Sequence, residues 1–256
     1  MTPRALILHA SGINRDHEAA WACERAGARP DIVHISALRN DPRMLGDYQL
    51  LVVAGGFSYG DALGAGKRLA LELSGSFGDA LHSFADEGRP ILGICNGFQA
   101  LIKSGLLPEV QRNLTGGATL THNAGGHFEC RWVTLVPNES SPCVFTRELA
   151  EPIDCPIAHG EGRLASTAEI DDRYIALRYA DPDRSLNDTK YPANPNGSVQ
   201  NIAGVCNERG NVLGLMPHPE DHIVPWQHPR WTRGEGGRLG LPLFEAGVRY
   251  AAGLGR

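Results

Sequence analysis

Residues 89–99 read Arg-Pro-Ile-Leu-Gly-Ile-Cys-Asn-Gly-Phe-Gln. Pro90 to Ile94 is a short apolar run, suited to a buried strand. Asn96 to Ser104 then reads as a helix, with Phe98, Ala100, Leu101 and Ile102 supplying its apolar faces. Between the two stands Cys95, with Gly93 and Gly97 two residues to either side. This is the Gly-x-nucleophile-x-Gly spacing of a nucleophile elbow, with Cys in place of Ser. A strand that turns sharply into a helix cramps the backbone at the nucleophile, so neighbouring side chains must be minimal. The helix N-terminus also stabilises a thiolate and offers N–H groups to a developing oxyanion. A buried structural cysteine fits the same pattern, and the rest of the chain has to decide between the two.

Working outward, strands and helices alternate. Arg4–Ala10, Asp31–Ser36 and Asp47–Ala54 read as strands, the last with a Leu-Leu-Val-Val centre buried on both faces. Helices are predicted over Glu18–Gly27, with Asp16 as N-cap, and over Ala62–Leu73 and Phe77–Gly88. Such alternation predicts an α/β fold: a single domain over residues 1–256, with a mostly parallel sheet and crossover helices. Functional loops then gather at the C-terminal ends of the strands. The loops carrying Gly55–Asp61 and Cys95 both lie there. Further strands are predicted at Glu129–Val136, Tyr174–Tyr179, Ser198–Val205 and Val212–Met216. Arg184–Gly197 and His222–Gly240 read as loops, and Leu243–Ala252 as a closing helix.

The totals exclude several classes. The chain has 256 residues and a net charge of −5, with no basic stripe, so nucleic acid is not an expected partner. No apolar run approaches ~18 residues, so no membrane span is expected. The opening Met-Thr-Pro-Arg runs straight into a strand, and no signal peptide is expected. Six cysteines are scattered without metal spacing, which fits reduced thiols in a cytoplasmic protein.

His218 is the natural base for Cys95. Pro217 and Pro219 exclude a helix and hold the segment extended. Residues two apart then face the same way, so Glu220 can fix the imidazole's tautomer and orientation. The other half of the chemistry is Gly55-Gly56. A thiolate attacking a carbonyl creates an oxyanion that needs preorganised donors. One is expected from the N–H of Asn96, the other from the backbone around Gly56 and Phe57. A plain Gly-Gly turn is the alternative.

With these residues in place, the chain resembles the class I, triad-type glutamine amidotransferases. Cys95, His218 and Glu220 match that family's triad. Five strings look like one branch of it: Gly55-Gly-Phe-Ser-Tyr-Gly-Asp61, Gly93-Ile-Cys-Asn-Gly-Phe-Gln99, Pro156-Ile-Ala-His-Gly-Glu-Gly-Arg163, Asn194-Pro-Asn-Gly-Ser198 and Gly214-Leu-Met-Pro-His-Pro-Glu220. That branch supplies ammonia to a synthetase of de novo purine synthesis, which converts formylglycinamide ribonucleotide to formylglycinamidine ribonucleotide. The resemblance implies a flavodoxin-like sheet with helices on both faces. It implies a γ-glutamyl thioester on Cys95, with His218 moving the protons. Gln99 matches the family's glutamine-binding position, and Asn123 and Phe128 fall where it contacts the amino-acid end of glutamine. Implied partners are glutamine, a synthetase subunit and a small accessory subunit. No cofactor or metal is expected in this chain, since ATP and Mg2+ belong to the synthetase. His159, Glu161 and Arg163 fit either a partner contact or a polar turn with an internal ion pair. Departures from the branch are Gly125 and His127 where Ser and a basic residue are common, and Asp221 where Arg is common. The His222–Gly240 segment is also long. A stand-alone elbow-cysteine hydrolase and a non-enzymatic regulator are the competing readings. The first leaves the purine-branch strings unexplained, and the intact triad argues against the second.

Overall fold

Four short strands and the helices between them build the half of the sheet that carries the elbow. They are β1 (Arg4–His9), β2 (Arg29–His34), β3 (Leu50–Val53) and β4 (Ile91–Ile94). Helices α1 (Asp16–Arg25), α2 (Ile35–Asn40), α3 (Lys67–Ser74) and α4 (Gly78–Asp86) connect them. With β11 (Val212–Leu215) these strands pair in parallel, in the order β2-β1-β3-β4-β11. Beyond β11 the sheet continues antiparallel through β10 (Ile202–Cys206), β9 (Ile175–Ala180), β6 (Glu129–Pro137) and β7 (Ile153–His159). A separate ribbon pairs β5 (Ala118–Thr121) with β8 (Arg163–Ser166). Helix α5 (Asn96–Ser104) packs on α3, and α6 (Leu241–Gly253) on α1. This computed structural model describes residues 2–107, 117–183, 185–186 and 189–254. Arg184, Asn187 and Asp188 of the expected 184–197 loop lie outside that range.

Register is what assembles the site. Val53 pairs with Gly93, and Ile94 with Leu215, so β3, β4 and β11 end at one level side by side. Every residue of these three strands is buried, as parallel strands covered on both faces require. Gly55, Cys95 and His218 therefore leave the sheet as neighbours.

Local departures have local causes. The strand expected to reach Ser36 stops at His34, whose side chain accepts from Ser36 N–H and caps α2. The helix expected from Ala62 starts only at Lys67, because Leu63, Gly64 and Gly66 hold positive φ. Asp16 is the first residue of α1 rather than its cap, and its carboxylate meets His9 Nδ1 at 2.8 Å. Strand β7, which carries Pro156 in its middle, was not among the expected strands. It is an edge strand of the sheet, where proline's missing N–H costs no ladder bond.

Candidate active site

Cys95 alone makes the turn from β4 into α5, at φ +50° and ψ −105°. A side chain rarely holds this conformation, and two glycines make room for it. A Cβ on Gly97 would stand 1.9 Å from the Val53 carbonyl oxygen. One on Gly93 would stand 2.4 Å from Leu101 Cδ1. The Gly-x-Cys-x-Gly spacing is thus a packing requirement of the elbow. The turn is pinned by Cys95 N–H donating to Leu215 O at 2.8 Å.

His218 leaves β11 through the two prolines, and its N–H donates to Pro156 O at 2.9 Å. Its Nδ1 lies 2.7 Å from Glu220 Oε1, and the ring and Cys95 both face the Cα of Gly55. Both His218 and Glu220 are buried. Burial opposes a charge on His218, but the Glu220 carboxylate and the Cys95 sulfur outweigh it and hold the imidazole well above its usual range. The arrangement favours the protonated imidazole. Glu220→Gln should keep the shape and favour the wrong tautomer. We expect kcat to fall about a hundredfold or more with glutamine KM little changed. A wild-type rate in this variant would remove Glu220 from the chemistry.

The turn after β3 lies against both partners. A Cβ on Gly55 would stand 2.8 Å from His218 Cε1 and 3.4 Å from Cys95 Cβ. Of the donors expected here, Phe57 N–H is already given to Gly12 O at 2.8 Å, so it is not available to an oxyanion. Among the described residues the N–H groups of Gly56 and Asn96 carry no acceptor, which narrows the expected pair of donors to these two.

The expected glutamine-pocket residues fall into different roles. Gln99 is buried one turn into α5; its Nε2 donates to Glu161 O at 2.7 Å and its Oε1 accepts from Asn96 Nδ2 at 2.9 Å. Asn123 has no capacity left for a ligand. Its Nδ2 donates to His127 O and His159 O, and its Oδ1 faces His159 Nδ1 and Gly162 N–H. It builds the wall instead of touching what the wall holds. Phe128 is 49 % exposed and stacks on Phe57, 45 % exposed, with ring centroids 6.4 Å apart. The two rings form a lip.

The turn after β7 was the part left open by the sequence. Cys95 Sγ faces Ala158 O at 3.8 Å, so this turn flanks the nucleophile. His159 is buried and held neutral; burial and then the His218 charge push it down to about 3. Its Nε2 has no hydrogen-bond partner among the described residues. Glu161 Oε2 accepts from Ala65 N–H at 3.3 Å, and no ion pair joins Glu161 to Arg163 among the described residues. The N–H groups of Gly160 and Glu161 are likewise without acceptors among the described residues. These backbone donors escaped the sequence; the Gly-x-Gly spacing at Gly160 and Gly162 was the available signal.

Among the described residues, His218, Glu220 and Asp221 have ligand atoms within 4.8 Å of one another, so they could hold a metal ion. Two of the three already bond each other as base and orienter, and a cation there would compete with that pair. Asp221 is raised to about 6, chiefly by burial and by the Glu220 charge, with Arg15 only 3.6 Å away. A carboxyl raised on folding favours its protonated form, so charging it destabilises the fold as pH rises through ~6. Asp221→Asn should therefore stabilise the chain by about 2 kcal/mol at pH 8, allowing for partial exposure, and by little below pH ~4. Melting curves at the two pH values check this.

A cysteine at a strand–helix elbow, a buried histidine just beyond the neighbouring strand and a glutamate two residues on have the arrangement of a triad-type glutamine amidotransferase. The profile of the CobB/CobQ-like glutamine amidotransferase domain matches residues 2–251. Phosphoribosylformylglycinamidine synthase subunit PurQ of Treponema denticola is 48% identical over 269 residues, covering 98% of this chain and 99% of that protein. The subunit of the same name from Thermotoga maritima is 39% identical, with 98% and 99% covered. A chain in the structure of PurLQS from Thermotoga maritima is 37% identical with a TM-score of 0.74, covering 98% of this chain and 99% of that one. The chain belongs to the glutamine amidotransferase family, in its phosphoribosylformylglycinamidine synthase subunit PurQ branch. No helix among the described residues is long and apolar enough to cross a membrane.

Proposed function

We propose that this chain hydrolyses glutamine to glutamate and ammonia and delivers the ammonia to a synthetase subunit in de novo purine synthesis. The observation that carries the reading is His218, buried between the Cys95 thiol and the Glu220 carboxylate at the ends of adjacent strands. The Cys95 thiolate attacks the side-chain carbonyl carbon of glutamine. The N–H groups of Gly56 and Asn96 receive the oxyanion. His218, protonated by the thiol, gives its proton to the leaving nitrogen, and ammonia departs from a γ-glutamyl thioester. His218 then takes a proton from water, whose oxygen attacks the thioester, and glutamate leaves with the thiol restored.

The ammonia then replaces the amide oxygen of formylglycinamide ribonucleotide on the synthetase, with a small accessory subunit in the same complex. ATP and Mg2+ act there, since this sequence has no Gly-rich phosphate-binding loop ending in Lys-Ser/Thr. The setting is the cytoplasm. The test is ammonia and glutamate release from glutamine by the purified chain, alone and with the separately purified synthetase and accessory subunits. Product formation from glutamine only when this chain is present supports the reading. No glutamine turnover in the complete mixture refutes it.

A further inference from the structure

The string Asn194-Pro-Asn-Gly-Ser198 lies outside the triad and has no part in the steps above, yet its central asparagine is one of the most fully bonded side chains near the site. Asn196 is 0% exposed. Its Nδ2 donates to Gly162 O at 2.8 Å and to Tyr179 Oη at 3.1 Å. Its Oδ1 accepts from Ser198 N–H at 3.1 Å and Ser198 Oγ at 2.7 Å. Its backbone carbonyl accepts Ala124 N–H at 3.0 Å. One residue thus ties β9, the 160–163 turn and the wall that begins at Asn123.

The peptide groups of Gly162 show what this does. Its N–H is taken by Asn123 Oδ1 at 3.0 Å and its C=O by Asn196 Nδ2. Two buried asparagines, far apart in sequence, grip the turn at both of this residue's polar atoms. Neighbouring glycines let them come this close. A Cβ on Gly162 would stand 2.2 Å from His159 Cε1, and one on Gly197, at φ +75°, 2.7 Å from Ala124 Cβ. The gripped turn presents the unpaired N–H groups of Gly160 and Glu161, and its Glu161 carbonyl is the acceptor for Gln99. It therefore joins the Cys95 end of the site to the pocket wall.

We propose that Asn196 is a positioning residue for glutamine binding: it fixes the 160–163 turn beside Cys95 and the Asn123–Phe128 wall as one rigid surface against the substrate. It touches neither the nucleophile nor its base, so its loss should weaken binding and leave the chemical step largely intact. This rests on the glutaminase function proposed above. The donated bonds are charge-neutral and buried, and removing one partner strands the Gly162 carbonyl and the Tyr179 hydroxyl without it.

The test uses the full chain in its complex. Asn196→Ala should raise glutamine KM about tenfold or more while kcat stays within about threefold. Gly197→Ala, which pushes on Ala124 instead, should act in the same direction and serves if Asn196→Ala does not fold. A second readout separates positioning from general damage. Iodoacetamide, which lacks an amino-acid end, should alkylate Cys95 at the wild-type rate in both variants. A glutamine-shaped diazoketone should label Cys95 more slowly at low concentration and equally fast at saturation. An unchanged KM, or equal slowing of both reagents, overturns the proposal. Failure of the glutaminase reading looks different: the wild-type Cys95 would react with iodoacetamide and ignore the diazoketone.

Discussion

Cys95→Ala should abolish glutamine-dependent product formation by the complex, a loss of at least about ten-thousandfold, while added ammonium still supports turnover. The size of the effect follows from geometry. No other sulfur can substitute, because Cys23, Cys143, Cys155 and Cys206 are buried in the core and Cys130 lies exposed on β6. Only Cys95 stands at a strand–helix turn beside an imidazole. Alanine keeps the Cβ that the elbow already accommodates at φ +50°, so the fold should persist. On the proposed function the synthetase chemistry lies on another subunit, which can take its ammonia from added ammonium. A glutamine-like electrophile should label Cys95 alone. Loss of the ammonium-dependent activity together with the glutamine-dependent one would show that Cys95 mainly holds the fold. Labelling at Cys143 or Cys206 would sink the assignment of the nucleophile.

How much of this could be read beforehand depended on the range of the interaction. The elbow was legible because its demands are local: two glycines, a buried apolar strand and a helix within eleven residues. His218 and Glu220 were legible because two prolines fix an extended backbone, and an extended backbone fixes which residues share a side. The oxyanion donors were legible only in part. Gly56 and Phe57 are adjacent, and choosing between them required knowing that Gly12, forty-five residues away, takes the Phe57 N–H. The bonding of Asn123 was not legible. Its four bonds run to His127, His159 and Gly162, which pairing of β5 with β8 and β6 with β7 brings together. The strand β7 itself carries alternating burial at Ile153, Cys155, Ile157 and His159. Pro156 masked that alternation, and only the sheet order shows the strand to be an edge.

Adding the synthetase and accessory subunits should raise the chain's glutaminase kcat about a hundredfold or more, with a smaller change in glutamine KM. The Gly55–Gly56 peptide is where we expect the switch. Its N–H belongs to Gly56 and is the proposed oxyanion donor on the β3 side; its carbonyl belongs to Gly55. That carbonyl is held only by long bonds from Asn14 N–H at 3.4 Å and Arg15 N–H at 3.3 Å, whereas the next peptide is fixed by the 2.8 Å bond of Phe57 N–H to Gly12 O. Glycines on both sides of a weakly held peptide permit two orientations close in energy. Turning the N–H away from the oxyanion costs about 3 kcal/mol of transition-state stabilisation, which is the expected hundredfold. The half-exposed rings of Phe57 and Phe128 stand directly beside this peptide in sequence or by stacking, so a partner that covers them can select the competent orientation. Because the donor acts on the oxyanion and not on bound glutamine, kcat should move more than KM. Steady-state glutaminase assays of the isolated chain and of the reconstituted complex decide the matter. Full turnover by the purified chain without any partner would refute the switch and favour a hydrolase that works alone.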